Sequence, residues 1–332
     1  MTKAVVVIDL QKCFLPGGGL ATENNRNKKF GVDALGKSTS EFINNTDFQH
    51  IFVSKDWHTP GHSSFASSLP VENNARKNGK KVGLYADRQF TNPRYWGDDK
   101  GRLDQILWND HCVQGTDEIN LADSFQLNEN KQMMVRTIIK GFTQDTDSYS
   151  IVADALGNFT PREYDPANST KKSRFIDILK DSDITEIYIT GIARNVCVYW
   201  SALDLLNYWI LPAYKNGKII KLFFMFDLTR PVAENFTITP GEIEKAVKDL
   251  ITNMDLGPEV YNQVFEIVRT PYGPATNPSI TGGRRKRATR NMRNTRNMKK
   301  KLTKKVTRSK NRSLMTNKNC NCGKNHMKRR QC

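Results

Sequence analysis

Three side chains of different chemistry follow apolar, β-branched runs of this sequence, and together they could carry out acyl transfer. They are Asp9, Lys140 and Cys197. A cysteine thiol is a nucleophile, a carboxylate can take up its proton, and a nearby ammonium favours the thiolate. We interpret the three as nucleophile, proton acceptor and electrostatic support of a mechanism that proceeds through a thioester and needs no histidine.

Each of these residues also has a simpler interpretation. Cys197 could be a small buried hydrophobic residue, Asp9 a turn former, and Lys140 a strand end that reaches solvent. Apolar residues at helical spacing follow Cys197, which puts it in the first turn of a helix, near unpaired N–H groups and the positive end of the helix dipole. The turn before it could supply the backbone N–H groups of Ala193 and Cys197 as an oxyanion hole.

A second candidate site contains histidines. Three of the chain's five histidines lie in two short polar loops. Asp56 and His58, two residues apart after a predicted strand, together with His111, form an N/O ligand set that suits zinc, iron or manganese. His62 is either a fourth ligand or a hydrogen-bond partner of the ligands. Spacing alone leaves it equally open that these histidines only make ordinary loop hydrogen bonds.

Apolar runs alternate with helical periodicity along the first 268 residues. This alternation predicts an α/β fold, a three-layer α/β/α arrangement with a mostly parallel central sheet. Ligands of such sheets bind beyond the carboxyl ends of the strands, where the three catalytic candidates lie. The patterns predict strands over 4–9, 50–54, 133–139, 187–190, 219–226 and 263–268, helices over 34–45, 172–181, 198–206 and 241–251, and a long loop-rich segment over 59–106.

The charge of the chain is concentrated in its C-terminal part. Residues 281–332 hold 20 of the 51 Lys and Arg and no Asp or Glu, so residues 1–280 keep 31 basic and 34 acidic side chains. We predict a hydrolase-like domain over 1–275 and a basic, low-complexity, disordered tail over 276–332. The tail favours non-specific binding of nucleic acid or another anionic surface. Its residues Cys320, Cys322, His326 and Cys332 resemble a zinc-ligand set but miss the usual spacings.

The N-terminus enters a strand-like run without the pattern of a signal peptide, and no apolar run is long enough to span a membrane. With only six cysteines, we expect an intracellular, cytoplasmic protein whose thiols are free. The basic tail leaves a nuclear or nucleic-acid-associated location open.

Taken in order, five segments of the chain resemble the isochorismatase-like cysteine hydrolases, and within them most closely the nicotinamidases. The resemblance covers about residues 4–230, and its most specific part is the run Asp-His-Cys-Val-Gln-Gly-Thr over 110–116. The segments are 7–20 around Asp9, 56–65 around His58, 108–116 around His111, 140–150 around Lys140 and 191–198 around Cys197.

The resemblance implies a metal-assisted cysteine amidohydrolase that converts nicotinamide to nicotinate and ammonia, a step of pyridine nucleotide salvage in NAD metabolism. It implies the catalytic roles already given to Asp9, Lys140 and Cys197. It also implies that a divalent ion, zinc first with iron or manganese as alternatives, is held by Asp56, His58 and His111. The ion would hold the ring nitrogen of the substrate and orient its amide.

The resemblance further implies that Phe14 and Trp108 are aromatic walls of the substrate pocket and that the Ile192–Ala193 peptide bond is cis. Three residues depart from the family pattern: Arg194 and Asn195 replace a small residue and an aspartate, and Cys13 replaces an acid. These departures leave open a hydrolase of another small amide. An inactive hydrolase-like domain with a nucleic-acid-binding tail is the alternative from another class, and a homo-oligomer also stays open.

Overall fold

The apolar runs of the sequence form the strands of a central sheet, because strands covered on both faces need side chains without charge. The computed structural model describes residues 1–22, 31–68, 86–91, 102–165, 170–233 and 237–269. The strands within these ranges are β1 (Thr2–Ile8), β2 (His50–Asp56), β3 (Ala86–Thr91), β4 (Arg102–Leu107), β5 (Val135–Lys140), β6 (Arg162–Asp165), β7 (Thr170–Arg174), β8 (Ile184–Ile192), β9 (Lys221–Arg230) and β10 (Phe265–Val268).

Eight of the described strands form one sheet in the order β10-β9-β8-β1-β2-β5-β6-β7, while β3 and β4 pair as a separate antiparallel hairpin. The six strands from β10 to β5 run parallel, and β6 and β7 continue the sheet as an antiparallel edge. This arrangement confirms the predicted mostly parallel α/β fold.

Helices connect the parallel strands, as the long crossovers between such strands require. Two π-helical turns, Arg194–Val198 and Leu206–Ile210, join their neighbours into one helical stretch from residue 194 to residue 215. The α-helices of the described ranges are α1 (Val32–Asn44), α2 (Glu129–Met133), α3 (Phe175–Lys180), α4 (Tyr199–Leu205), α5 (Leu211–Lys215), α6 (Pro240–Asn253) and α7 (Val260–Val264).

Helices cover both faces of the sheet. Phe52 of β2 packs against Phe175 of α3, with ring centroids 5.1 Å apart. Tyr188 of β8 packs against Phe42 of α1, with centroids 6.0 Å apart. The strand register aligns Phe52 and Tyr188 with two successive residues of β1, whose side chains point to opposite faces. Therefore α1 and α3 lie on opposite sides, which confirms the three-layer prediction.

Several predicted boundaries were wrong for identifiable reasons. The hairpin β3–β4 lies inside the segment predicted as loop, because 86–91 and 102–107 lack the apolar alternation of a half-buried strand. The helix predicted over 172–181 begins only at Phe175, because the residues before it pair with β6. Strand β9 extends to Arg230, where its last residues pair with the end of β8.

The chain divides into two units, Met1–Thr276 and Asn277–Cys332, and all described residues belong to the first unit. The predicted tail and its four candidate zinc ligands therefore lie outside the described residues. No helix in the described ranges is long and apolar enough to cross a membrane.

Candidate active site

The three predicted catalytic residues lie at or just beyond the carboxyl ends of three parallel strands. Asp9 follows the last residue of β1, Lys140 is the last residue of β5, and Cys197 lies in the π-helical turn that follows β8. Because β1 lies between β8 and β2, and β2 pairs with β5, parallel pairing brings these three strand ends to one edge of the sheet. The structure thus brings together residues that are up to 188 positions apart.

Lys140 is the centre of this cluster. Its side chain is fully buried, and Nζ lies 2.9 Å from Oδ2 of Asp9 and 3.0 Å from Oδ1 of Asp56. Nζ also donates to the carbonyl of Ser148 at 3.1 Å and lies 3.6 Å from Sγ of Cys197. Burial alone would lower the pKa of Lys140, but the two carboxylates hold it well above its ordinary value. Lys140 is therefore a permanent cation beside the thiol.

Asp9 is positioned by its own backbone and by Ser54 of β2. Its φ is +47°, and its backbone N–H donates to Oγ of Ser54 at 3.0 Å. The Ser54 hydroxyl in turn donates to Oδ1 of Asp9 at 2.6 Å. Burial raises the pKa of Asp9, and the charge of Lys140 opposes this shift. A carboxylate with a raised pKa is a better proton acceptor than an exposed aspartate.

The protonation state of Cys197 differs from the sequence-based expectation of a thiolate. Burial raises the pKa of Cys197 well above its ordinary value, and the charge of Asp9 raises it further, whereas Lys140 lowers it. Desolvation of the thiolate and the negative charges of the nearby buried carboxylates together outweigh the single positive charge of Lys140. The raised pKa favours the thiol form of Cys197, so a role as nucleophile would require the loss of this proton during a reaction.

The candidate metal ligands converge on one carboxylate oxygen. Nε2 of His58 and Nε2 of His111 lie 3.1 Å and 3.5 Å from Oδ2 of Asp56. The other ring nitrogens donate to carbonyl groups: Nδ1 of His58 to Gly141 at 2.9 Å, and Nδ1 of His111 to Asn109 at 2.7 Å. A carbonyl only accepts, so Nδ1 carries the proton that it donates in both rings, and each Nε2 faces the Asp56 carboxylate, where it can hold either a proton or a metal ion. The donor set fits a divalent ion.

Proximity alone also groups His58 with His62 and Asp147, and Asp56 with His111 and Cys112. The hydrogen bonds of His62 argue against the first grouping, because its Nε2 donates to the carbonyl of Thr143 and its Nδ1 accepts from Ser64. His62 therefore supports the loop and does not offer a lone pair. The second grouping fails for Cys112, because its sulfur is bonded to another cysteine.

Cys112 forms a disulfide with Cys13, although the sequence analysis expected both thiols to be free. The expectation was wrong because the two residues are 99 positions apart in the sequence, and only the fold brings their loops together. Among the described residues, Cys197 is the free cysteine.

A pocket opens above the cluster. The predicted pocket walls Phe14 and Trp108 line it, as do the predicted oxyanion-hole residues Ala193 and Cys197 and the candidate metal ligands Asp56 and His111. Nε1 of Trp108 donates to the hydroxyl of Tyr149 at 3.0 Å, which orients the indole ring. The sequence analysis did not identify five further lining residues: Leu20, Asp147, Tyr149, Val196 and Val232.

These further residues had little signal in the sequence. The apolar residues among them, Leu20, Val196 and Val232, cannot be told from core residues by type or spacing. Gln11 was also missed: its side-chain amide donates to the carbonyl of Asp56 at 2.9 Å and accepts from the Asp56 N–H at 2.8 Å. Gln11 thereby holds the end of β2 that carries the candidate metal ligand.

The turn before Cys197 contains a cis peptide bond between Ile192 and Ala193, as the resemblance implied. In the same turn, the carbonyl of Ala193 accepts from the N–H groups of Val196 and Val198, each at 3.0 Å. The oxyanion-hole role of the N–H groups of Ala193 and Cys197 stays a prediction.

The two family departures in this turn make specific contacts. Arg194 donates from Nε to the hydroxyl of Thr229 at 2.7 Å and lies over the ring of Phe226, 3.9 Å from its centroid. Oδ1 of Asn195 accepts from the backbone N–H of Val232 at 3.1 Å. Both residues therefore connect the turn to the segment that ends β9 and lines the pocket.

Comparisons with known proteins identify relatives of this chain. No family model matches the chain. The chain is 31% identical to the nicotinamidase of Acinetobacter baylyi over 225 residues, which cover 65% of this chain and 84% of the relative. It is 26% identical to the nicotinamidase of Saccharomyces cerevisiae over 249 residues, covering 75% of this chain and 95% of that protein.

The fold is also that of a solved nicotinamidase. The crystal structure of the yeast nicotinamidase with the inhibitor nicotinaldehyde superimposes with a TM-score of 0.53, covering 81% of this chain and 100% of that chain at 23% identity. The identity to the Acinetobacter enzyme over most of its length, together with this shared fold, identifies the family. The chain belongs to the nicotinamidases and is a nicotinamidase-type amidohydrolase.

Proposed function

We propose that this chain hydrolyses nicotinamide to nicotinate and ammonia through a thioester on Cys197. The observation that carries the proposal is the buried ammonium of Lys140, which lies within 3.6 Å of the thiol and within 3.0 Å of two carboxylates. A purely structural lysine would not need a free thiol among its neighbours. Asp9 is the proton acceptor and donor, and Lys140 stabilises the charges that the reaction creates.

In the first half of the reaction, Asp9 accepts the proton of the Cys197 thiol, and the sulfur attacks the amide carbon of the substrate. The amide oxygen becomes an oxyanion, which the backbone N–H groups of Ala193 and Cys197 stabilise. The carbon–nitrogen bond then breaks, and the leaving nitrogen takes the proton from Asp9 and departs as ammonia. A thioester between Cys197 and the nicotinoyl group remains.

In the second half, Asp9 accepts a proton from a water molecule, which attacks the thioester carbon. The carbon–sulfur bond breaks, the proton on Asp9 returns to the sulfur, and the product leaves as the acid, which gives up the remaining proton of the water to solvent and becomes nicotinate. Lys140 stays protonated throughout because Asp9 and Asp56 hold its pKa well above the ordinary range. Its fixed charge favours the carboxylate form of Asp9 and the thiolate that forms transiently.

We also propose that Asp56, His58 and His111 hold a divalent ion, with zinc the first candidate and iron or manganese the alternatives. When bound, such an ion is a Lewis acid that can take the lone pair of the pyridine nitrogen. Phe14 and Trp108 then bind the two sides of the ring, which leaves the amide group directed towards the sulfur.

The test is ammonia release from nicotinamide by the full chain, measured after treatment with chelator and after return of zinc, iron or manganese. Cys197→Ala should reduce kcat by at least about 10³-fold, whereas Cys322→Ser, a control in the tail, should not. Ammonia release by Cys197→Ala at the wild-type rate would exclude the nucleophile assignment. Absence of ammonia from the wild type with all three metals would exclude the proposed activity.

Two small molecules test the proposed roles of the metal and the sulfur. Benzamide lacks the ring nitrogen, so its kcat/KM should be about 10²-fold lower than that of nicotinamide. Equal values would favour the alternative of a general small-amide hydrolase. Nicotinaldehyde, the inhibitor in the yeast structure, has a carbonyl that a thiolate can attack, so it should inhibit the wild type and bind Cys197→Ala much more weakly.

We propose finally that residues 1–275 form the complete catalytic domain and that the basic segment 276–332 is not needed for catalysis. Truncation after residue 275 should leave kcat and KM for nicotinamide unchanged. It should also weaken retention on a DNA or RNA column, because it removes 20 basic side chains and no acidic ones. Equal retention before and after truncation would exclude a nucleic-acid role of the tail.

A further inference from the structure

The Cys13–Cys112 disulfide joins two loops that both line the candidate pocket. Cys13 lies in the 3₁₀ turn after β1, directly before Phe14, and Cys112 directly follows His111. Both cysteines are fully buried, and their Cα atoms are 5.3 Å apart. The crosslink therefore lies one residue away from a pocket wall on one side and one residue away from a candidate metal ligand on the other.

The contacts of the two loops connect this crosslink to the site. The ring of Phe14 lies 5.8 Å from the ring of His111. The carbonyl of Cys112 accepts from the backbone N–H of His58 at 3.0 Å. Cys112 itself has φ +47°, a backbone conformation that residues other than glycine rarely adopt. A shift of Cys112 would consequently move both candidate histidine ligands.

The ion pairs between the same loops are much more exposed. Lys12 lies 3.1 Å from Asp117 and 3.3 Å from Asp123, whose side chains are 73% and 87% exposed. Such pairs contribute little because water and salt screen them. The backbone N–H of Lys12 also donates to the carbonyl of Asn120 at 2.8 Å. Compared with these ion pairs, the disulfide is a buried and covalent connection between the two loops, and it lies next to the pocket.

We propose that Cys13 and Cys112 are positioning residues: their disulfide holds Phe14 and His111 in the arrangement that binds substrate and metal, and a dithiol that reduces it weakens both. In the reduction, the two sulfurs of the dithiol form a new disulfide. Cys13 and Cys112 each receive one electron and one proton and become thiols. The proposal rests in part on the proposed function, which assigns His111 to the metal and Phe14 to the substrate ring.

The first test maps the crosslink without reference to activity. The full chain, purified without reductant, is alkylated, digested and examined by mass spectrometry. We expect a linked peptide pair that contains Cys13 and Cys112, with Cys197 as an alkylated thiol. Alkylation of both Cys13 and Cys112 in the unreduced protein would overturn the proposal whether or not the protein hydrolyses nicotinamide.

The second test compares metal affinity and kinetics before and after reduction. The protein is reduced with a dithiol, which is then removed under nitrogen so that it does not chelate metal. Supporting contacts of metal ligands typically change affinity by about 10- to 100-fold, so zinc affinity should fall by that factor, and KM should rise more than kcat falls. Unchanged zinc affinity and KM in the reduced protein would overturn the proposal.

Two variants separate the crosslink from other thiols. Cys13→Ser should bind zinc as weakly as the reduced wild type and should not respond further to the dithiol. Cys322→Ser should behave as the wild type in both states. An equal response of Cys13→Ser and wild type to reduction would overturn the proposal, because the effect would then come from another cysteine. If Cys13→Ser does not fold, the comparison of oxidised and reduced wild type decides the question alone.

Discussion

The ammonium of Lys140 lies 3.0 Å from Oδ1 of Asp56, while the other oxygen of the same carboxylate lies 3.1 Å from Nε2 of His58. Asp56 therefore belongs to both candidate centres, which the sequence analysis treated as separate. A change in the charge near one centre must affect the other through this carboxylate.

Lys140→Met should be both inactive and unstable. The substitution removes the cation that neutralises the buried carboxylates of Asp9 and Asp56, and loss of one partner of a buried ion pair costs about 3–5 kcal/mol. We expect the free energy of unfolding in urea to fall by about this amount, and kcat to fall by about 10²-fold or more.

Lys245→Met provides the matched control, because the Lys245 side chain is 75% exposed and forms a surface ion pair with Asp249 on α6. Its unfolding free energy and kcat should stay close to the wild-type values. Wild-type stability of Lys140→Met would mean that the two carboxylates are not ionised in the folded protein, which would contradict the assigned charges.

The positions of Asp9, Lys140 and Cys197 could be predicted because polar residues at the ends of apolar runs stand out in the sequence. The double contact of Asp56 could not, because it depends on the pairing of β2 with β5. The protonation of Cys197 was also not predictable, since the helix and Lys140 favour a thiolate locally, whereas carboxylates from two other strands and burial outweigh them. Local sequence signals were sufficient to identify the catalytic candidates but not to predict their protonation states.

Alkylation of Cys197 should report the charge of Asp9. The carboxylate raises the pKa of Cys197 because two negative charges repel. In Asp9→Asn this repulsion is lost, so the pH midpoint of iodoacetamide alkylation at Cys197 should move down, as measured by mass spectrometry. Asp249→Asn, on the exposed face of α6, should leave the midpoint unchanged. An upward shift in Asp9→Asn would show that Asp9 does not repel the thiolate.

The acid limb of the activity profile should follow Asp9. Only the carboxylate form can accept the thiol proton, and burial raises the pKa of Asp9 above its ordinary value. As the pH falls through this raised value, Asp9 becomes protonated and kcat/KM should fall. The limb should therefore lie at higher pH than that of an exposed aspartate. Metal content determined at each pH separates this effect from loss of the ion.

His111→Ala should weaken metal binding, whereas His62→Gln should leave it unchanged. Nε2 of His111 faces Asp56, so its removal should lower metal affinity by at least about 10- to 100-fold, the range seen even for supporting residues. Both ring nitrogens of His62 are hydrogen-bonded to the protein, so His62→Gln should keep the metal. Elemental analysis after dialysis measures both, and equal metal loss would place His62 among the ligands.

Gly141→Ala should damage the site more than the fold. Gly141 has φ +65°, and an added Cβ would lie 2.7 Å from Cε1 of His58 and 2.8 Å from Oδ1 of Asp56. Gly217 has φ +79° and nothing within 4 Å, so Gly217→Ala has the backbone cost without the collision. Both variants should lose about 1–2 kcal/mol of stability, because an L-residue with a side chain is strained at a positive φ. Only Gly141→Ala should lose metal affinity and kcat/KM, and equal activities would contradict the assigned contacts.

Asn195 should act through the side-chain oxygen that accepts a hydrogen bond. The absence of a negative charge at this position should matter little. Its Oδ1 accepts from the N–H of Val232, which lines the pocket, and the carboxylate of an aspartate could accept the same hydrogen bond. Asn195→Asp, which restores the residue usual in the family, should therefore keep KM for nicotinamide within about twofold. Asn195→Leu leaves the buried N–H of Val232 without this acceptor, at a cost of about 1–3 kcal/mol.

We expect Asn195→Leu to raise KM more than it lowers kcat, because Val232 belongs to the pocket wall while Cys197 and Asp9 keep their contacts. Steady-state kinetics of the two variants, each with its metal content determined, make the comparison. A larger KM in Asn195→Asp than in Asn195→Leu would show that the missing negative charge near the turn sets substrate binding. The departure from the family pattern would then be a change of specificity and not a conservative replacement.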